Sequence, residues 1–279
     1  MSTSAVDQDH PVGIVAGRGL LPLEFCRAAR RAGVNRIAAV AIHQDTFLEI
    51  EERADSVEWF FAGQLNAAIR SLKKRGVRQC VLAGQIRPRR LFGGLRPDWR
   101  AFRALRQLKR RNADTIFSAV VAELARDGIE VLPSTTFLEE ALARPGVLGR
   151  VQPSKPLRKD LDLGWRIAQE VARLDIGQTV VVKRGTVLAV EGFEGTDKAI
   201  RRGGELANGG VTVVKTAKPG HDMRFDVPCV GMRTVRSLET AGARALGVHA
   251  GKSLLLERGP LLAECDRLGI AVVGLAPEG

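Results

Sequence analysis

The chain has 279 residues and no tyrosine, and aromatic residues make up only 5% of it. Surfaces that read single-stranded RNA stack bases on exposed rings, so no nucleic-acid partner is expected from so ring-poor a sequence. The four cysteines (Cys26, Cys80, Cys229, Cys265) stand far apart, without a Cys-x-x-Cys pair or a Cys/His cluster. That excludes the common structural zinc motifs and fits buried thiols in a reducing compartment. No apolar run approaches the roughly 20 residues of a membrane-spanning helix, and residues 1–10 are polar, without a signal-type pattern. A disordered lead-in and a soluble or peripheral cytoplasmic protein are expected. A Gly-Lys-Ser/Thr phosphate loop and a Gly-x-Ser-x-Gly elbow are also missing, which leaves Walker-type nucleotide hydrolysis and covalent acyl transfer without support.

What is present is positive charge and a strand–helix rhythm. The formal net charge is +12, which favours a polyanionic partner: nucleic acid, an anionic membrane surface or a phosphorylated substrate. The hydrophobic fraction of 45% suffices for real cores.

Apolar runs at 12–16, 36–42, 57–61, 78–83 and 129–132 read as strands, and helical stretches at 22–32 and 64–75 stop at Gly33 and Gly76. This βαβ alternation predicts an α/β fold: an N-terminal Rossmann-like parallel sheet over residues 11–144. Three prolines and two glycines mark 145–156 as a linker, and 157–279 as a C-terminal α/β catalytic domain. In that half, helices are predicted at 157–174, 196–207, 234–246 and 260–268. A hairpin is predicted around Arg184-Gly185, with strands at 211–214, 253–256 and 270–273.

The densest chemistry lies in Lys215-Thr-Ala-Lys-Pro-Gly-His-Asp-Met-Arg-Phe-Asp-Val-Pro228, which carries Lys215, Lys218, His221, Asp222, Arg224 and Asp226 after a strand. Cations can hold phosphate oxygens, and carboxylates can hold a metal or activate water. A solvated, salt-bridged loop would look the same in sequence. Gly17-Arg18-Gly19 follows one strand, and Gly84-Gln85 follows another. Both fall beyond carboxyl ends, where ligands bind in such sheets, and the glycines predict backbone N–H groups that approach a phosphate. Pro22 stands where a third glycine would complete a dinucleotide fingerprint. Glu191, Glu194 and Asp197 surround Gly192 and Gly195, a pattern open to Mg²⁺ or to a plain turn with Thr196 as helix cap. Residues 98–111 read as an amphipathic helix with Trp99 and Phe102 on one stripe and arginines elsewhere.

These pieces, in order, resemble one family. Ala16-Gly-Arg-Gly-Leu-Leu-Pro22, Ala83-Gly-Gln-Ile-Arg-Pro88, Leu174-Asp-Ile-Gly-Gln-Thr-Val-Val-Val-Lys183, Leu188-Ala-Val-Glu-Gly-Phe-Glu-Gly-Thr-Asp197 and the 215–228 segment are similar to those of the UDP-2,3-diacylglucosamine pyrophosphatases of the LpxI type. The resemblance implies a Rossmann-like domain, a C-terminal α/β domain peculiar to the family and a substrate between them. It also implies Mg²⁺-dependent hydrolysis of the UDP-sugar to UMP and 2,3-diacylglucosamine 1-phosphate (lipid X) in lipid A biosynthesis. Asp226 is implied to be essential, as metal ligand or water-positioning group. Asp222 is a second candidate for the catalytic carboxylate, and Glu191 a second metal candidate. Gly17, Arg18, Gly19, Gly84, Gln85, Thr196, Asp197, Lys215, Lys218 and Arg224 are candidates for binding substrate. Two departures stand out: His221 replaces an expected Gln, and Asn112-Ala113-Asp114 replaces a Gly-Asp-Asp pattern. A diacyl substrate implies a peripheral location on the cytoplasmic face of the inner membrane, with Arg100, Arg103, Arg106 and Arg110 drawn to anionic lipid. Hinge closure is an expectation, and a homodimer stays open. The rival readings are a basic RNA-binding protein and a nucleotide-sugar binding or transferase protein.

Overall fold

A computed structural model describes residues 6, 9–85, 97–108 and 112–276. Arg87, Pro88, Arg110 and most of 1–10 lie outside the described residues. The chain divides into two compact units, Met1–Glu139 with Asp222–Asp226, and Glu140–His221 with Val227–Gly279.

The first unit is built on five parallel strands: β1 (Val12–Ala16), β2 (Ile37–Ile42), β3 (Ser56–Phe60), β4 (Gln79–Ala83) and β5 (Glu130–Leu132). Their order is β3-β2-β1-β4-β5, the order of doubly wound sheets. All six residues of β2 are buried, as a strand covered on both faces requires. Helix α1 (Leu21–Arg31) has Pro22 in its first turn and Arg30 and Arg31 in its last, each at the end where it is favoured. Helices α2 (Leu65–Lys74), α3 (Trp99–Arg106) and α4 (Ala113–Arg126) follow. Ile69, Leu72 and Leu124 pack with Val40 and Leu82 into one core. Cys26 and Cys80 are buried, and burial pushes both thiols up to about 12.

The second unit carries a mixed sheet in the order β6-β13-β11-β9-β7-β8. Its strands are β6 (Gly146–Val147), β7 (Thr179–Lys183), β8 (Thr186–Val190), β9 (Thr212–Lys215), β11 (Ala245–His249) and β13 (Ala271–Leu275). A small separate pair joins β10 (Cys229–Val230) to β12 (Leu254–Leu255). The helices are α5 (Lys155–Arg173), α6 (Thr196–Ala207), α7 (Met232–Thr240) and α8 (Arg258–Arg267).

Several expectations need correction. Residues 145–156 are not merely a linker: they supply β6, which pairs antiparallel with β13, and the start of α5. The helix expected over 234–246 ends at Thr240, because Gly242 takes φ +59 and reverses the chain. Leu246 then belongs to β11, a fully buried strand between β9 and β13.

The β7–β8 hairpin turns at Arg184 (φ 49) and Gly185 (φ 77), a pair of left-handed residues suited to a tight hairpin. Asp160 on α5 is buried and accepts the N–H groups of Arg184 (2.9 Å) and Gly185 (2.7 Å), one on each carboxylate oxygen. Arg184 and Gly185 are themselves exposed, so Asp160→Ala forfeits two hydrogen bonds to a charged acceptor, at about 1.5–3 kcal/mol each. We expect a fall of about 3 kcal/mol in denaturant unfolding of the second unit, and a smaller fall for Asp160→Asn, which keeps one acceptor. Equal stability of Asp160→Ala and the wild type would show that the turn holds without this clamp.

Candidate functional site

β1 and β4 end side by side, with Ala16 opposite Ala83. The glycine pattern predicts N–H groups aimed at phosphate, but three of them join the two turns instead. Gly17 N–H donates to Ala83 O (2.7 Å), Arg18 N–H to Gln85 O (2.7 Å) and Gln85 N–H to Arg18 O (3.0 Å). The glycines serve close approach: a Cβ on Gly17 would lie 2.7 Å from Gln85 O, and one on Gly84 2.7 Å from Arg18 O. Anion-binding capacity therefore moves to the start of α1. There Gly19 holds φ +105, and the N-cap residue, Leu20, makes no side-chain cap. Such an uncapped N-terminus favours a negative group.

The charged segment divides between the units. Asp222–Asp226 packs with the first, whereas Lys215, Lys218 and His221 stay with the second. Ser134, just past β5, fixes the crossing piece. Its N–H donates to Met223 O (2.7 Å), and its hydroxyl lies 2.6 Å from Leu82 O and 2.7 Å from Arg224 O, sharing one proton between them. Phe225 stacks on Phe117 of α4, with centroids 5.6 Å apart and 18° between planes. The segment coils into a turn in which Asp226 N–H donates to Asp222 O (2.9 Å). Because Leu82 is on β4, this places Arg224 and Asp226 near the carboxyl end of the sheet, with the Gly17 and Gly84 turns on the same edge.

Asp222 is committed to Arg224. Its carboxylate accepts the Arg224 backbone N–H (3.0 Å), Nε (2.9 Å) and Nη2 (2.6 Å). This hydrogen bonding raises the Arg224 pKa further above its ordinary value, so the guanidinium is charged at every working pH. Its side chain is 42% exposed and can turn donors toward an anion.

The candidates Glu191, Thr196, Asp197, Lys215 and Lys218 lie in the second unit with partners of their own. Glu191 accepts the Thr196 hydroxyl (2.9 Å) and, more weakly, Gln178 N–H (3.4 Å). Asp197 pairs with Arg233 (2.7 Å), and Lys218 with Asp175 (2.6 Å). Lys215 Nζ donates to Cys229 O (3.2 Å), and His221 Nδ1 lies 2.9 Å from Lys218 O. Asn112 caps α4 by accepting Thr115 N–H, which puts Asp114 in the first turn. His249, which the sequence gives no task, lies buried with Nδ1 3.0 Å from the Thr216 hydroxyl and 3.3 Å from Ala217 N. Burial lowers its pKa to about 4, so it stays neutral.

Arg100 leaves the set expected to meet lipid. It is paired with buried Glu123 and with Asp127, and only 17% of its side chain is exposed. Arg103 remains 53% exposed, and Arg106 sits over the Phe102 ring at 5.8 Å. Arg110 lies outside the described residues.

Among the described residues, no three His, Cys, Asp or Glu side chains gather into a metal cage. Mg²⁺ does not require one: it commonly takes one or two carboxylates, substrate phosphates and water. A single carboxylate, such as that of Asp226, Asp222 or Glu191, would suffice in that mode; Glu191 also accepts the Thr196 hydroxyl, and Asp222 the Arg224 guanidinium.

Sequence reading misses Ser134 and Phe117. Their function lies in contacts with residues about a hundred positions away, and neither belongs to a motif.

Two family models match: the LpxI N-terminal domain over residues 11–141 and the LpxI C-terminal domain over 144–273. A curated relative from Caulobacter vibrioides, named UDP-2,3-diacylglucosamine pyrophosphatase LpxI, is 32% identical over 96% of this chain and 98% of its own. Solved structures give only distant likeness. A biotin carboxylase–β,γ-ATP complex from Campylobacter jejuni aligns with 72% of this chain at 13% identity and a TM-score of 0.28, and this chain spans 42% of it. The biotin carboxylase subunit of a pyruvate carboxylase aligns with 83% at 14% identity and a TM-score of 0.23, with 40% of its length spanned. Likeness at that level carries no argument about fold or chemistry. The two matched domains and the end-to-end relative do: this chain belongs to the LpxI family.

Proposed function

We propose that this chain hydrolyses the pyrophosphate of UDP-2,3-diacylglucosamine to UMP and 2,3-diacylglucosamine 1-phosphate. One observation carries the reading: the relative named for that activity is matched over 98% of its length, so both of its domains have counterparts here. The turn of Asp222–Asp226 supports it by setting a carboxylate and a permanent cation on the edge where doubly wound sheets bind ligands.

Hydrolysis adds one water across the anhydride. An oxygen–phosphorus bond forms, the bridging oxygen leaves with its phosphate, and the water protons pass to bulk solvent. Arg224 and the start of α1 hold the negative oxygens. Asp222 acts as a positioning residue, since it fixes the guanidinium. Asp226 holds a divalent cation or orients the attacking water. When bound, Mg²⁺ would neutralise phosphate charge. The diacyl substrate puts the enzyme at the cytoplasmic face of the inner membrane as a peripheral protein, in keeping with described helices of which none is long and apolar enough to cross a membrane.

The test is incubation of the full chain with the substrate and Mg²⁺ in ¹⁸O-water, with an EDTA control. UMP and the 1-phosphate should form, with one product carrying the label, and EDTA should abolish both. A product in which the diacylglucosamine phosphate sits on an added acceptor would show a transferase, and intact substrate would refute the reading.

A further inference from the structure

Helix α3 is built against the usual rule for a helix that faces water. Its inward residues, Ala101 and Ala104, are small and buried, whereas Trp99 is 75% exposed and Phe102 is exposed beside it. At about 100° per residue, Trp99, Phe102, Arg103 and Arg106 share one arc of the helix, and all four are exposed. Rings and guanidiniums therefore point outward together. An ordinary amphipathic helix turns its bulky apolar residues to the core. Here the core side is left to alanines, and a ring-poor chain spends two of its rings on the surface.

Beside that arc runs an open groove of about 520 Å³, lined by Arg70 of α2, Trp99, Arg100 and Arg103 of α3, and Arg126 and Asp127 at the end of α4. Four guanidiniums against one carboxylate make it cationic. Its floor is fixed by ion pairs. Buried Glu123 accepts hydrogen bonds from Arg100 and Arg126, and Asp127 pairs with Arg100 and Lys73. Arg100 is committed to these contacts. The other three keep donors for an anion. Arg103 stands 3.9 Å from the Glu123 carboxylate, and more than half of the Arg126 side chain is exposed. Arg70 is exposed and has no ion pair among the described residues. Planar guanidinium forks of this kind suit phosphate oxygens.

We propose that this face docks on an anionic lipid bilayer, with a headgroup phosphate held by Arg70, Arg103 and Arg126 and the Trp99 and Phe102 rings at the edge of the acyl region. A leaflet presents phosphate beside hydrocarbon, and guanidiniums beside exposed rings are its complement. The set is not the row of arginines expected along one helix: Arg100 drops out, and Arg70 and Arg126 come in from two other helices. RNA fits the face less well. Bases stack on open ring faces, but the Arg106 guanidinium covers Phe102 at 5.8 Å, and Trp99 leans on Phe102 with centroids 5.9 Å apart. The proposal rests on the functional reading above for its purpose, which is to bring the protein to a lipid substrate.

The experiment is flotation of the full-length protein with vesicles of phosphatidylcholine alone and of phosphatidylcholine mixed with phosphatidylglycerol. The wild type should bind the mixed vesicles at least about tenfold more strongly, and Arg70→Gln/Arg103→Gln should lose about tenfold of that binding. Hydrolysis of vesicle-borne UDP-diacylglucosamine should fall with it, while hydrolysis of a short-chain, water-soluble analogue stays unchanged. Trp99→Phe should still bind, but without the blue shift of tryptophan emission that mixed vesicles cause in the wild type. If circular dichroism shows the double variant unfolded, the emission of Trp99→Phe decides alone. Equal binding to both vesicle types, or binding and emission untouched by the variants, overturns the assignment. So does a double variant that loses single-stranded RNA binding and keeps vesicle binding. Charge-dependent vesicle binding through these residues, in a protein that hydrolyses no UDP-sugar, would sink the functional reading and leave the docking face standing. Hydrolysis with vesicle binding indifferent to these residues would do the reverse.

Discussion

Asp226→Asn is expected to lower kcat by at least about 10²-fold, that is, to remove roughly 3 kcal/mol of transition-state stabilisation. Asparagine keeps the shape of the side chain, and the turn is held by the Asp226 backbone N–H, by Ser134 and by the Phe225 stack; the variant should therefore fold. What it loses is the negative charge. If that charge holds a cation, the Mg²⁺ concentration for half-maximal activity rises along with the fall in kcat, and direct Mn²⁺ binding weakens. If it orients water, the metal requirement stays and kcat alone falls. Asp222→Asn should behave differently, because its carboxylate aligns Arg224 through contacts of 2.6–3.1 Å. Its cost should be nearer tenfold and fall mostly on KM. Activity of Asp226→Asn within tenfold of wild type would take Asp226 out of the chemistry.

The α/β class and all five strands of the N-terminal sheet were legible, because each is a short apolar run stopped by a glycine, a proline or a turn. β11 was not. Ala-Leu-Gly-Val-His follows helix α7 within a few residues, and an apolar run beside a helical pattern reads as more helix until a buried partner on each side settles the matter. The residues of the charged segment were legible, but not the division of that segment between two units, because its allegiance depends on hydrogen bonds from Ser134 to Met223 and Arg224. The glycines were found for a reason that was only partly right. Their spacing suggests donors open to phosphate, yet three of those donors cross-link two strand ends. Likewise, Arg100 reads as one of a row of surface cations, and only the position of Glu123 on α4 shows that it is paired and mostly buried.

Three glycines at that same edge separate two physical effects, and Gly84→Ala combines them. Gly19 holds φ +105 with nothing within 4 Å of a built Cβ, so Gly19→Ala carries backbone strain alone, about 1–2 kcal/mol. Gly17 lacks a positive φ but would meet Gln85 O at 2.7 Å, so Gly17→Ala carries a collision alone, at about 1–3 kcal/mol for overpacking. Gly84 has φ +91 and would meet Arg18 O at 2.7 Å and Gly17 C at 2.9 Å. Strain and collision add there, and neither neighbour can move without breaking the Arg18–Gln85 bonds. We expect Gly84→Ala to destabilise the first unit by about 3 kcal/mol or more. Hydrogen exchange should show it in β1, β4 and the start of α1, while the second-unit strands stay protected. Activity should fall at least tenfold, because the turns that adjoin the anion site are the ones forced apart. Destabilisation in the order Gly84 above Gly17 and Gly19 would show that close approach of the two strand ends, rather than glycine flexibility, is what this edge requires. A Gly84→Ala variant no less stable than Gly19→Ala would show that the turns can separate freely, and the anion site would then have to be sought away from them.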